Sequence, residues 1–283
     1  MKMMGRIRGP VLAVAALSLA GGIGCQKDDR SMETALQRID DRLAKMEAQL
    51  ARAAPARAGA AAAGPGAPSR RPARPPGPAP EAVYSVPIDG APFVGAKDAR
   101  VTVVEAFEFA CPFCLRVKPT LEQLLRDYQG KIKIVYKHLI VHPGSATTPA
   151  HAACAAAEQG KFAAMYAGIW TRGFSAGRNL SKDNMLAIAE GIGLDMDRFT
   201  RDMDGDACKQ RVARDQQELR KVGARATPAF FINGRYLSGA RPIDQFKKLI
   251  DEELAKANQR IASGTAVADY YRQWVVDRGK KTL

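Results

Sequence analysis

The chain has 283 residues, enough for one medium domain with appendages, and its 46% hydrophobic content excludes a wholly disordered protein. A formal charge of +14 raises nucleic acid or an anionic surface as a partner. The basic residues are scattered among acids from Lys97 to Arg278 with no array of base-stacking aromatics, so no nucleic acid is expected.

Residues 1–24 have a basic start (Lys2, Arg6, Arg8) and an apolar run, Val11 to Ala20, too short to span a bilayer as a mature helix. They read as a secretory signal. The following Gly21-Gly22-Ile23-Gly24-Cys25 resembles the lipobox of bacterial lipoproteins, although Gly22 stands where Leu is usual. That resemblance implies lipidation at Cys25; plain cleavage near Ala20 or an uncleaved anchor is the alternative. With Gln26 next, the pattern is similar to that of outer-membrane lipoproteins, so a periplasmic domain anchored to a membrane is expected. An exported compartment permits disulfides.

Met32, Leu36, Ile39, Leu43, Met46 and Leu50 recur in steps of four and three, a heptad stripe with Arg42 and Glu47 at g and e positions. Residues 25–50 therefore read as an anchor plus an amphipathic helix. The helix is either a coiled coil that makes the chain a homo-oligomer or a solitary helix lying on a surface. Residues 51–82, rich in Ala, Pro, Gly and Arg, bury too little to offset chain entropy and read as a disordered tether.

The globular part is expected over 83–283. Val83 to Val86 reads as an edge strand and Pro87 to Lys97 as turns. Val101 to Phe107 is the central strand, Leu115 to Tyr128 a helix kinked at Pro119, and Lys131 to Leu139 a strand. A helical insertion occupies about 147–222, with Ser181 capping one helix. Ala229 to Ile232 and Arg235 to Ser238 flank Asn233-Gly234, a two-residue hairpin turn. Helices over Pro242 to Ala255 and Ala266 to Asp277 close the chain, the latter with no assignable packing.

The chemistry centres on Cys111-Pro112-Phe113-Cys114, between the central strand and its helix. With Cys111 just outside the helix, Pro112 takes the first position, where its missing N–H is not needed. The Cys111 thiolate then faces unpaired amides at the positive end of the helix dipole. Cys114 lies one turn on, with α-carbons about 5.5 Å apart, a geometry that lets a disulfide open and close. Cys111 is thus the nucleophile and Cys114 the resolving thiol; a structural disulfide is the rival reading. Glu108 reads as a solvated acid, and His138, His142 and His151 as structural. No metal site or cofactor is expected.

CPFC at a strand-to-helix turn, with Glu105 six residues before Cys111 and Pro119 eight after it, resembles the active-site segment of thioredoxin-fold oxidoreductases. Ala226-Thr227-Pro228-Ala229-Phe230-Phe231-Ile232-Asn233-Gly234 resembles their cis-proline loop and the strand after it. The hundred or so mostly helical residues between them are similar to the insertion of the DsbA-like branch. The likeness covers Val83 to Ile250. It implies an α/β thioredoxin fold with a DsbA-type helical insertion, and a thiol:disulfide oxidoreductase acting on unfolded or misoxidised exported proteins with a membrane redox partner.

The resemblance further implies a cis Thr227–Pro228 peptide lying against Cys111, whose Thr227 backbone pairs with an extended substrate. It also implies that Glu105 points beneath the dithiol as a buried proton relay; a solvent-facing strand-end acid is the other reading. Phe113 replaces the His that oxidising relatives often carry, which implies a less oxidising disulfide. With Cys25 lipidated and Cys111/Cys114 redox-active, Cys154 and Cys208 close the cysteine count as a structural disulfide, or remain two buried thiols. A coiled coil would favour an oligomeric isomerase or reductase of the DsbC/DsbG type over a disulfide donor. A non-enzymatic metal-binding or scaffold protein is the remaining alternative.

Overall fold

The computed structural model describes residues 28–53 and 77–283. The signal segment 1–24, Cys25 and most of the Ala/Pro tether lie outside the described residues. The chain divides into two compact units, Met1–Ala73 and Arg74–Leu283. In the first, α1 (Asp28–Ala53) is one continuous helix whose Leu36, Ile39, Leu43 and Met46 are about half exposed. The side chains of Met32 and Leu50 lie outside the described residues.

The second unit is built on a five-stranded sheet. Its strands are β1 (Phe93–Gly95), β2 (Val101–Phe107), β3 (Ile132–His138), β4 (Ala229–Ile232) and β5 (Arg235–Ser238), in the order β1-β3-β2-β4-β5. β2 and β3 run parallel, joined through α2 (Pro112–Asp127), while the other pairs are antiparallel. Every residue of β2 is buried, because the sheet is covered on both faces. Val101, Val103 and Phe107 face a core shared with α2, α8 (Ile243–Ala262) and the helical insertion. Val104 and Ala106 face a second core with Leu219, Phe231, Tyr271 and Val275. By the two-residue period of a strand, Glu105 belongs to the first face.

The insertion comprises α3 (Pro143–Ala157), α4 (Phe162–Gly168), α5 (Lys182–Gly191), α6 (Met196–Asp204) and α7 (Asp206–Lys221). α4 runs on into a π-helical stretch, Ile169–Phe174, that buries Trp170 and Phe174. Ser181 caps α5 by accepting from the Asn184 N–H, and Asp195 caps α6 in the same way.

The Asn233-Gly234 turn has both residues at positive φ, 42° and 83°. Asn233 Oδ1 accepts from Thr102 N at 2.9 Å and its Nδ2 donates to Arg100 O, tying the turn to the start of β2. A Cβ on Gly234 would lie 2.6 Å from the Tyr84 carbonyl. Both the φ and this contact make Gly234→Ala destabilising, by about 1 to 3 kcal/mol, measurable as a drop in the urea unfolding midpoint.

Three expectations need correction. Val83 to Val86 is not an edge strand: Val83 and Tyr84 form single bridges, to Arg235 and Lys280, because the segment is wedged between the hairpin turn and the C-terminus. The true edge opposite β5 is β1, in the stretch read as turns. The tether also ends before residue 82. Pro78 is buried, the Ala79 N–H donates to the Tyr84 hydroxyl, and Arg235 grips Glu81 and the Pro80 carbonyl. The final segment, α9 (Val267–Tyr271) with its π-helical continuation Arg272–Val276, packs on the second core, where the Tyr271 hydroxyl donates to Val86 O at 2.8 Å.

Candidate active site

β2 delivers Glu105 to the interior and hands the chain to the loop that presents Cys111. Cys111 has an extended backbone (φ −92°, ψ 115°) and stands as the N-cap of α2, with Pro112 at its first position. Its N–H donates to the Glu108 carbonyl, while its own carbonyl accepts from the N–H groups of Cys114 and Leu115. Cys111 and Cys114 are both free thiols. Cys114 is fully enclosed, and Cys111 keeps 4% exposure, because the Thr227–Pro228 loop lies over it. That peptide bond is cis, and the Cys111 thiol donates to the Thr227 carbonyl at 3.3 Å.

The two sulfurs are electrostatically unlike. A hydrogen bond from the Cys114 thiol is the main influence on Cys111. With support from Thr227 and the N–H groups of Cys114 and Phe113, it outweighs burial and brings the Cys111 thiol from 9.0 down to about 6. Burial pushes Cys114 well above 9.0, reinforced by its hydrogen bond to Cys111 and the nearby Glu105 carboxylate.

Glu105 is completely buried, and neither of its carboxyl oxygens has a hydrogen-bond partner. Burial, with a smaller push from the Cys111 charge, raises it from 4.5 to about 8. It is therefore a neutral acid at pH 7. Because its folded pKa is raised, the stabilisation it gives is complete below pH 4.5 and is lost as pH rises through 8. The oxidised protein, whose active-site cysteines do not titrate, should lose about 3 kcal/mol more stability than Glu105→Gln between pH 5 and pH 8. Urea titrations at both values check this; parallel pH profiles for the two proteins would refute it.

Residues 102–251 match the DSBA-like thioredoxin domain family. The chain belongs to that family. A thioredoxin-like oxidoreductase from Silicibacter pomeroyi DSS-3 is similar at 27% identity, covering 58% of this chain and 92% of that one with a TM-score of 0.53. A periplasmic thioredoxin-like protein from Salmonella enterica serovar Typhimurium, at 22% identity, 59% and 91% coverage and a TM-score of 0.50, shares the fold. Among curated proteins, the Na(+)/H(+) antiporter NhaA of Herminiimonas arsenicoxydans is 34% identical over 146 residues, 52% of this chain and 23% of the antiporter. The chain spans about a quarter of the length of the first curated relatives it matches. No helix among the described residues is long and apolar enough to cross a membrane. The domain has the DsbA-like thioredoxin fold, with a mixed α/β sheet and helical insertion of that type.

In this DsbA-like domain Phe113 is half exposed, and the Arg116 guanidinium stacks 4.4 Å over its ring, bringing a positive charge to a corner where Phe itself offers none. Cys154 on α3 and Cys208 on α7 are joined, with α-carbons 5.7 Å apart. His138 is buried against Phe107 and Phe109, and burial lowers it to about 3.

Glu108 is the residue the sequence reading placed wrongly. It is fully buried rather than solvated, accepting from the N–H groups of Val141 at 2.7 Å and His142 at 2.9 Å and pairing with His142 Nδ1. That pairing raises the His142 pKa. Glu108 thereby clamps the segment after β3 to the loop that carries Cys111. No local pattern shows this, since its partners lie more than thirty residues away.

Proposed function

We propose that the protein is an exported disulfide-exchange enzyme acting on proteins of the periplasm through Cys111. The asymmetry of the two sulfurs carries the reading: one thiol tuned to about 6 at a helix start, its partner buried and raised. In the oxidising direction a substrate thiolate attacks Cys111 of the Cys111–Cys114 disulfide, and Cys114 leaves. Glu105, still protonated at neutral pH, supplies the proton that Cys114 takes up. A second substrate thiolate then attacks the substrate sulfur of the mixed disulfide, and Cys111 leaves as a thiolate. The substrate has lost two electrons, and the protein holds them as a dithiol until a redox partner accepts them.

Thr227 and Pro228 offer the backbone against which an extended substrate segment can lie. The periplasmic setting is supported by the signal-like 1–24 segment and by the Salmonella protein that shares the fold. Cys25 serves as the lipid anchor. A low Cys111 pKa stabilises the dithiol, and at pH 7 it raises the midpoint potential by about 30 mV relative to an ordinary thiol pair. Redox titration tests the reading: the midpoint should fall by about 59 mV per pH unit below pH 6 and by about 30 mV per unit from there towards pH 8. A single slope through pH 6 would refute the tuned thiolate.

A second reading, an oligomeric isomerase, rests on the exposed stripe Leu36, Ile39, Leu43 and Met46 of α1. Paired with another copy, that stripe would present two dithiols to one substrate. The chain from Gln26 should then self-associate in sedimentation while one starting at Gly77 stays monomeric. Identical monomers would remove this reading.

A further inference from the structure

Two clefts flank the cis-proline loop. One, of about 340 Å³, is lined by Phe113, Arg116, Thr227, Pro228 and Arg241 among others. The second, of about 530 Å³, is lined by Val141, Gln216, Arg220 and Arg225 among others. Arg225 stands two residues before Thr227, so one loop borders both. Each cleft has an exposed apolar residue, Phe113 or Val141, and among the described residues lining each the only charged side chains are two arginines.

The absence of acids is local. A cleft elsewhere sets Glu218 and Asp277 beside Lys221 and Lys281, and the one along β5 sets Glu81 and Glu252 against Arg235 and Lys248, with Arg241 at its border. Among the described residues the arginines that find carboxylates are Arg198, Arg201 and Arg235, none of which lines either flanking cleft. Three of the four at the site are held instead by neutral groups. Arg116 stacks on Phe113, Arg241 donates to Ser238 O, and Arg220 donates to Ile140 O and Gln216. Their charges are placed but unanswered.

We infer that the segment this site accepts carries its cysteine among carboxylates, with acidic side chains on both sides of the reactive sulfur. This rests on Cys111 being the exchanging thiol. An extended segment crossing the loop would run from one arginine pair to the other, where planar guanidinium groups suit carboxylates. Because the four arginines are exposed, each contact is individually weak, and the effect lies in their sum and in steering at low salt.

The test uses the reduced protein and three peptides of one sequence, whose cysteine is capped as a mixed disulfide with neutral pyridine-2-thiol and flanked by Asp, Ala or Lys. Cys111 attacks the peptide sulfur and releases pyridine-2-thione; Cys114 then displaces the peptide thiol and leaves the Cys111–Cys114 disulfide. At about 20 mM salt the Asp peptide should react about tenfold faster than the Lys peptide, and the gap should close to about twofold at about 0.5 M. Arg116→Gln with Arg241→Gln, and Arg220→Gln with Arg225→Gln, should each cut the ratio about threefold. Equal rates for Asp and Lys peptides, or a ratio that salt does not change, would overturn the inference while leaving the oxidoreductase reading intact. Failure of all three peptides to react would bring down both.

Discussion

Cys111→Ser should reduce insulin no faster than the uncatalysed reaction, whereas Cys114→Ser should attack once and then stall as a mixed disulfide. Only Cys111 lies at the mouth of α2 with a thiol brought to about 6, and a serine hydroxyl cannot attack sulfur at that pH. Cys114 is enclosed, so it can resolve an intermediate but not start one. The wild-type rate of attack should climb about tenfold per pH unit below 6 and level off above, as the thiolate fraction does. Mass spectrometry of trapped adducts and a pH–rate profile check both. Wild-type turnover by the Cys111 variant would remove the assignment outright.

The second large effect is on stability. The Cys154–Cys208 bridge spans 54 residues, and closing a loop of that length lowers unfolded-chain entropy by about 4 kcal/mol equivalent. Cys154→Ala with Cys208→Ala should therefore lower unfolding stability by about that much, with the loss falling on the insertion that α3 and α7 brace. The active-site dithiol should keep its thiolate titration if the remaining sheet holds. A double variant with an unchanged urea midpoint would show that the bridge contributes nothing.

Much of this site was legible because its signals are local. CPFC after an apolar strand, Thr227-Pro228 before one, and Asn233-Gly234 between two strands each state a backbone geometry within a few residues. Glu105 could be placed on a face by alternation, though only the covering helices show that its carboxyl finds no partner. The illegible parts depend on distant segments. Glu108 looks like any loop acid until Val141 and His142 fold over it. β1 is three residues long and pairs only with β3, too short for a pattern. The arginines at the site illustrate the same limit. Arg116, Arg220, Arg225 and Arg241 look dispersed along the chain, and only the fold gathers them around one loop without acids.

The Cys154–Cys208 bridge also sets an order of events in the life of the molecule. Both sulfurs belong to buried residues of the insertion core, so in the finished protein they are shielded from outside thiolates. The bridge is therefore formed most readily while the insertion is still open, by an oxidant acting on the unfinished chain. A newly made copy is thus a client of disulfide formation before its own dithiol is in place, and its yield in a host depends on the oxidising machinery already at work there.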